Sequence, residues 1–264
     1  MPLTHLTAEL LALRRLGVGA VRFGWSLAAV TLVRDELVRD MQAVWDEINQ
    51  QEVDPDEGLV PWEQQLVDPL IADGSSVLVV GSSNGRVLLP LIARGCHVVG
   101  VDPSPSALAT ARHALSQRGM SAELVEGFVE ATELMGEFDT VFFAGLGCYA
   151  YIPESATRIR ALRNVATHLR PGGQVILSYE HMPRPRPWML RIARATSWMS
   201  RSDWRPEPGD YLHLRRVGGS SHFTFQHAFR PDEIEGEAAA AGMQVVLQQE
   251  YETARVFSLA PTPS

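Results

Sequence analysis

The stretch from Val77 to Arg112 constrains the fold most, because its pattern predicts a strand, a tight turn, a helix, a second strand and another helix. It begins with the apolar run Val77 to Val80, which is typical of a central parallel strand covered on both faces. A five-residue turn, Gly81-Ser82-Ser83-Asn84-Gly85, follows, and the second strand ends on Asp102. The order predicts a βαβ unit that binds a nucleotide.

The prediction of a nucleotide ligand rests on the glycine turn and on Asp102. Glycines at both ends of the turn favour close approach of the backbone to a ligand, and the next helix offers unpaired N–H groups at its start. Asp102 lies seventeen residues after Gly85, about where a carboxylate accepts both hydroxyls of a ribose. NAD-binding proteins also show such a pattern, and a doubly wound fold with a capping Asp and no ligand is a further interpretation.

Two features separate these interpretations. Gly81 and Gly85 are four residues apart and no third glycine follows at the helix packing position, so the turn departs from the GxGxxG spacing of dinucleotide sites. The chain also ends in a helix followed by two apolar segments, which a short turn joins before Pro261. Two strands joined in this way are antiparallel.

On these residues the chain resembles the class I S-adenosylmethionine (SAM)-dependent methyltransferases, from about Trp62 to Pro261. The family's first motif, an acidic residue followed by alternating glycines, falls on Val79 to Gly85, and its ribose-binding acid falls on Asp102. HLRPGGQVIL (168–177) looks like the turn into the fifth strand, and FRPDEIEGEAAAAGM (229–243) looks like the last helix.

The resemblance implies an α/β fold, a doubly wound Rossmann-like sheet of seven strands with an antiparallel C-terminal hairpin. Residues 1–60 would form an N-terminal helical cap and 61–264 the SAM-binding domain, with 182–228 as an inserted helix and hairpin over the substrate. The chain departs from the family at three positions: Val79 replaces the acid, Ser83 replaces the middle glycine, and Phe128 stands where an Asp often follows the third strand.

SAM is the cofactor that the resemblance implies. Gly81, Ser83 and Gly85 would shape the methionine side, Asp102 would bind ribose, and the residues after the third strand would border adenine. The full predicted cofactor site is Gly81, Ser82, Ser83, Gly85, Asp102, Pro103, Phe128, Val129 and Ala144. Phe128 as an ordinary core residue is the alternative.

The acceptor site is predicted at the same sheet edge, since strand ends in open α/β sheets line the ligand crevice. Four residues are candidates for handling the acceptor proton: His181, Tyr149, His227 and Glu180. Four aromatic residues are candidates for contacting the acceptor: Trp45, Tyr151, Trp188 and Trp198. For each of these, plain packing or a solvated position is the competing interpretation.

The charge and cysteine content limit the kinds of ligand and partner that the chain can bind. The net charge of -8 argues against a nucleic-acid surface. The segment from Met182 to Arg216 is locally basic, with eight arginines and three acids, and it suits an acceptor with an apolar body and an acidic group. A phospholipid headgroup, or a structural cap with solvated arginines, fits it too. Cys96 and Cys148 are the only cysteines, and neither they nor the histidines show a metal-ligand spacing, so no metal site is predicted.

The N-terminal segment from Leu16 to Val33 is mostly apolar. Arg22 and three glycines disfavour a membrane span, and the start of the chain lacks a secretory pattern. We expect a packed helical cap rather than a peripheral membrane helix, in a reduced cytoplasmic protein that is either a monomer or a homodimer.

The sequence therefore predicts methyl transfer from SAM to an O, N or C nucleophile of a small molecule, aromatic or acidic in character. Three alternatives remain: a SAM-binding enzyme that does not methylate, a degenerate fold that acts as a binding partner, and an NAD oxidoreductase.

Overall fold

The computed structural model describes residues 34–51, 54–217 and 219–263. The predictions for residues 1–33, including the apolar segment, lie outside the described residues. No helix in the described part is long and apolar enough to cross a membrane. The described chain divides into two compact units. The sheet unit consists of residues 42–183 and 226–263, and the insertion unit consists of residues 34–41 and 184–225.

The helices and strands alternate along the sheet unit, as the sequence predicts. The helices are α1 (Arg34–Gln51), α2 (Pro61–Leu70), α3 (Leu88–Ala93), α4 (Pro105–Gln117), α5 (Ser155–Ala166), α6 (Pro187–Met199) and α7 (Glu233–Ala240). The strands are β1 (Ser76–Val80), β2 (His97–Asp102), β3 (Glu123–Glu126), β4 (Phe138–Phe143), β5 (Leu169–Glu180), β6 (Asp210–Val217), β7 (Ser220–His227), β8 (Met243–Glu250) and β9 (Ala254–Pro261). Single 3-10 turns occupy Pro55–Glu57 and Tyr149–Tyr151.

One seven-stranded sheet has the order β3-β2-β1-β4-β5-β9-β8. Strands β1 to β5 pair in parallel, whereas β9 runs antiparallel to both β5 and β8. The predicted α/β Rossmann-like fold with an antiparallel C-terminal hairpin is thereby confirmed. The carboxyl ends of β1, β2, β3 and β4 share one edge, which brings the predicted cofactor residues to one side of the sheet.

Burial explains the position of each strand. Val77 to Val80 of β1 are all buried because helices cover both faces of the sheet there. One apolar layer includes residues of α5 and α7, and the other includes residues of α2 and α3. By contrast, β8 is the edge strand and alternates buried or half-buried with exposed residues over most of its length.

The fifth strand begins at Leu169, inside the stretch 168–177 that is predicted to form the turn into it. Phe138 pairs with Leu169 and Thr140 with Gln174, so the segment between is irregular. Gly172 has φ +81°, and a Cβ on Gly173 would lie 2.9 Å from the Arg170 carbonyl oxygen. The glycines that signal a turn in the sequence therefore form an irregularity within the strand.

The insertion unit contains α6 and a separate two-stranded sheet of β6 and β7. Its buried residues include Leu37, Trp204 and Phe225, and the Trp204 and Phe225 rings meet edge to face with centroids 6.0 Å apart. Asp40 on α1 accepts a hydrogen bond of 2.9 Å from the Phe223 backbone N–H, which ties the helix to β7.

Candidate active site at the carboxyl ends of the central strands

The turn after β1 is held by backbone hydrogen bonds to the end of β2. The N–H groups of Gly81 and Ser82 both donate to the Val101 carbonyl, at 2.8 and 3.1 Å. The φ angles of Gly81, Ser83 and Gly85 are +73°, +52° and +94°, a region that favours glycine. Ser83 is accommodated there, and its N–H donates to Asp102 Oδ2 at 2.8 Å. The strained position therefore serves to orient the acid.

Glycine is required in this region by close packing as well. A Cβ on Gly81 would lie 2.7 Å from Cys148 Sγ in the loop after β4, and a Cβ on Gly85 would lie 3.3 Å from Ala111 Cα on α4. A Cβ on Gly100 of β2 would lie 2.8 Å from Ser82 Cβ. Sequence reasoning missed Gly100, although a glycine inside an apolar strand is itself a sign of close backbone approach.

Asp102 is buried, with both carboxylate oxygens engaged. Oδ2 accepts from the Ser83 N–H, and Oδ1 accepts from the Ser104 N–H at 2.9 Å. Burial raises the pKa of Asp102, and these two hydrogen bonds oppose the rise. Each oxygen has a second lone pair, so the carboxylate can still accept two hydroxyl groups. This donor and acceptor set fits the ribose of SAM.

The sheet-unit half of α1 connects the exits of two strands. Gln42 Nε2 donates to the Pro103 carbonyl at 3.2 Å. Asp46 accepts hydrogen bonds from the hydroxyls of Ser104 and Ser106, the latter at 2.8 Å.

On the same helical face, the Trp45 ring meets the Tyr151 ring with centroids 4.6 Å apart. The structure thus brings together two of the predicted acceptor residues. Gln42 and Asp46 were missed by sequence reasoning, because polar residues at this spacing normally mark a solvated helix face.

The residues that follow β3 are those predicted to border adenine. Phe128 is 38% exposed, which excludes the interpretation of this residue as ordinary core. Val129 is buried, and its carbonyl accepts a hydrogen bond of 2.7 Å from Asn164 Nδ2. Ala144 is also buried at the end of β4, where its N–H donates to the Val80 carbonyl. These contacts fix the backbone on both sides of the predicted adenine position.

Tyr149 is enclosed in the core of the sheet unit. Its hydroxyl donates to Glu237 Oε2 at 2.7 Å, and Glu237 also pairs with Arg158 at 2.6 Å. The Tyr149 ring stacks on Phe229, with centroids 5.8 Å apart. Burial and the Glu237 carboxylate raise the pKa of Tyr149 well above its ordinary value. This arrangement favours the packing interpretation over proton transfer with an acceptor.

Glu180 and His181, two of the candidates for handling the acceptor proton, do not pair with each other. The two residues are adjacent at the end of β5, where successive side chains point to opposite faces. The acidic partner of His181 is Glu250 on β8, with 3.5 Å between Nε2 and Oε1. The His181 N–H also donates to the Thr253 carbonyl at 2.9 Å, and both Glu180 and His181 are exposed.

His227 is buried at the end of β7, and its Nε2 lies 3.3 Å from Glu233 Oε1. Its ring meets Phe229 edge to face, with centroids 4.7 Å apart. Trp188 and Trp198, the remaining predicted acceptor residues, lie on α6 of the insertion unit and are exposed.

The comparisons with known proteins point to methyltransferases. Residues 77–173 match the family model described as a methyltransferase domain. The ubiquinone biosynthesis O-methyltransferase of Aromatoleum aromaticum is 33% identical over 107 residues, which is 40% of this chain and 44% of that protein. The cypemycin N-terminal methyltransferase of a Streptomyces species is 32% identical over 123 residues, 47% of this chain and 48% of that protein. The chain spans about half the length of most of the curated relatives it matches.

Among solved structures, the CcbJ methyltransferase from Streptomyces caelestis superposes with a TM-score of 0.62 and 17% identity, covering 83% of this chain and 97% of that one. At this identity the likeness concerns the fold alone. Residues 77–173 form a methyltransferase domain, and the sheet order agrees with the resemblance of the chain to the class I SAM-dependent methyltransferases.

Proposed function

We propose that the protein transfers a methyl group from SAM to an O or N nucleophile of a small molecule. The observation that carries the proposal is the buried Asp102 carboxylate, which backbone N–H groups of Ser83 and Ser104 orient beside the glycine turn. Relatives named as O-methyltransferases and as an N-terminal methyltransferase support both kinds of acceptor atom.

The chain's own residues account for donor binding. Asp102 accepts the ribose hydroxyls, Phe128 and Val129 border the adenine, and the positive-φ turn from Gly81 to Gly85 follows the methionine portion. When bound, SAM supplies a methyl group already activated by its sulfonium. The protein therefore contributes mainly positioning and exclusion of water.

Two aromatic rings favour a flat or apolar acceptor. Trp45 and Tyr151 meet edge to face next to the loop after β4, where a Cβ on Gly147 would lie 3.5 Å from both the Tyr151 ring and Gln226 Nε2. An aromatic wall with one amide nearby suits an apolar body that carries a polar group.

For an acceptor that must lose a proton, we propose that the His181 side chain is the base that accepts it. Its imidazole is accessible and has Glu250 as its acidic partner, whereas the side chains of Tyr149 and His227 are enclosed. His181→Ala should lower turnover of a protonated acceptor about 100-fold or more. His168→Ala removes a half-buried histidine just before the start of β5 and serves as the control. Equal turnover in the two variants would contradict the assignment.

The test of the function is calorimetric titration with SAM, with S-adenosylhomocysteine and with NAD as the control ligand. We expect micromolar binding of the first two and none of NAD. Mass analysis of acceptors after incubation with SAM then distinguishes methyl transfer from another SAM-dependent reaction. Binding of neither adenosyl ligand would contradict the proposal.

A further inference from the structure

Helix α6 presents an apolar face outward. Ser197 is its buried residue, and the Ser197 hydroxyl donates to the Trp204 carbonyl, which defines the side of the helix that packs inward. At about 100° per residue, Trp188, Ile192, Ala195 and Met199 lie on the opposite side, and Arg191 and Trp198 lie on one flank of it. All six residues, called here the outward face, are exposed.

The inward side also carries apolar residues, since Met189, Leu190 and Ala193 are half-buried, so the exposed apolar residues are additional to those that pack the helix. Trp188, Ile192, Trp198 and Met199 are 48%, 41%, 73% and 68% exposed. The described residues include seven exposed large hydrophobic side chains, and four of them lie on this one helical face. Apolar residues concentrated in this way mark an interaction surface rather than ordinary surface.

The charge of the segment identifies the kind of partner. From Arg184 to Arg201 there are five arginines and no acidic residue, although the whole chain has a net charge of -8. Arg191 belongs to the outward face itself, and Arg186 and Arg201 are exposed just before and just after the helix. The surface therefore combines tryptophan, aliphatic and methionine side chains with positively charged residues. A partner that matches this surface has an anionic outer layer and an apolar layer below it.

We propose that the outward face of α6 binds the surface of an anionic lipid bilayer. Its tryptophans, Ile192 and Met199 would enter the boundary between headgroups and acyl chains, with the arginines on the lipid phosphates. A second copy of the chain is a poorer complement, because a two-fold interface joins the same patch of both copies and so brings two positively charged segments together. This binding needs neither SAM nor an acceptor, so it stands apart from methyl transfer.

The test is co-sedimentation of the full chain with vesicles. One set contains phosphatidylcholine with about one-third phosphatidylglycerol, and the other contains phosphatidylcholine alone. We expect binding to the anionic vesicles only, and weaker binding as salt rises. Arg191→Gln should weaken binding about fivefold, the effect of one charge near an anionic surface. The double variant Trp198→Ala with Met199→Ala should weaken it at least tenfold.

Met135→Ala is the matched control, since Met135 is 69% exposed but lies in the sheet unit, and its binding should be unchanged. All these side chains are exposed, so thermal melting should not shift and loss of binding cannot be loss of folding. Absent binding to anionic vesicles, or equal binding to both vesicle types, would overturn the proposal. So would a dimer in solution that Trp198→Ala dissociates, because the face would then belong to a second copy.

Discussion

The turn after β1 and the loop after β4 lie at the same sheet edge, yet they are held in different ways. The turn from Gly81 to Gly85 is fixed by backbone N–H groups that donate to Val101 and Asp102. The loop after β4 is fixed by side chains from far along the chain, since the Tyr149 hydroxyl bonds Glu237, 88 residues away, and Tyr151 contacts Trp45. The cofactor side is therefore a local structure, whereas the acceptor side depends on the rest of the fold.

The largest effect is expected from Glu237→Ala, which leaves the buried Arg158 and the Tyr149 hydroxyl without their carboxylate. Breaking a buried ion pair on one side costs about 3–5 kcal/mol of unfolding free energy. Denaturant unfolding measures it, with Glu235→Ala on the exposed side of α7 as the control. A loss below about 1 kcal/mol would mean that the loop after β4 is held without this network.

Gly81→Ala should come next, because Gly81 combines a left-handed backbone with contact to Cys148. Gly95 has a similar φ of +79° but open space around it, so Gly95→Ala reports backbone strain alone, about 1–2 kcal/mol. We expect Gly81→Ala to lower the unfolding free energy by about 1–3 kcal/mol more than Gly95→Ala does, which is the range for overpacking. Denaturant unfolding of the two variants measures the difference.

A double-mutant cycle isolates the contact between the turn and the loop. In a Cys148→Ala background, the cost of Gly81→Ala should fall to that of Gly95→Ala. An unchanged difference would show that the sulfur atom is not what excludes a side chain at Gly81.

Asp102→Ala tests the cofactor side directly. Losing hydrogen bonds to a charged group should weaken SAM binding by about 1–3 kcal/mol in calorimetric titration. Asp73→Ala, on an exposed aspartate, should leave the affinity unchanged. If the Asp102→Ala variant binds SAM as tightly as the parent protein, Asp102 does not bind the ribose.

The same carboxyl should make SAM affinity fall on acidification. Burial raises the pKa of Asp102, so the ionised acceptor is lost at a higher pH than for an ordinary aspartate, whose pKa is about 4. The folded state holds the Asp102 proton more tightly than the unfolded state does. Protonation of Asp102 as the pH falls through its raised pKa therefore favours folding, although it weakens SAM binding. Titrations between about pH 7 and pH 4 should show the decline in the parent and little in Asp102→Asn.

The smallest effect concerns Cys148, whose thiol should resist alkylation. Burial, with the nearby carboxylates of Asp102 and Glu130, raises the pKa of Cys148 to about 12. The thiolate is then almost absent at neutral pH, and Cys96 is buried as well. Mass spectrometry after iodoacetamide should show no label on the folded chain and two labels in denaturant. Rapid labelling of Cys148 in the folded chain would indicate that the loop after β4 opens.

The sequence by itself determined the parts that depend on neighbouring residues. The apolar run of β1, the glycine turn and the acid at the end of β2 are set by spacing within one βαβ unit. The antiparallel pairing of β8 with β9 follows from the short turn between them. These local rules predicted the sheet, and they placed Gly81, Gly85 and Asp102 at one edge. They also predicted a turn at residues 168–177, where β5 has already begun, since a glycine pair signals a turn as readily as a strand irregularity.

Only the tertiary structure decided which distant side chains meet. No local pattern indicates that Asp46 accepts from Ser104, that His181 pairs with Glu250 rather than with Glu180, or that Tyr149 gives its hydroxyl to Glu237. The apolar pattern of α6 is visible in the sequence, but periodicity shows only that a helix has two faces. Which face turns inward is decided by packing, here by Ser197 against Trp204, because burial is a property of the assembled fold.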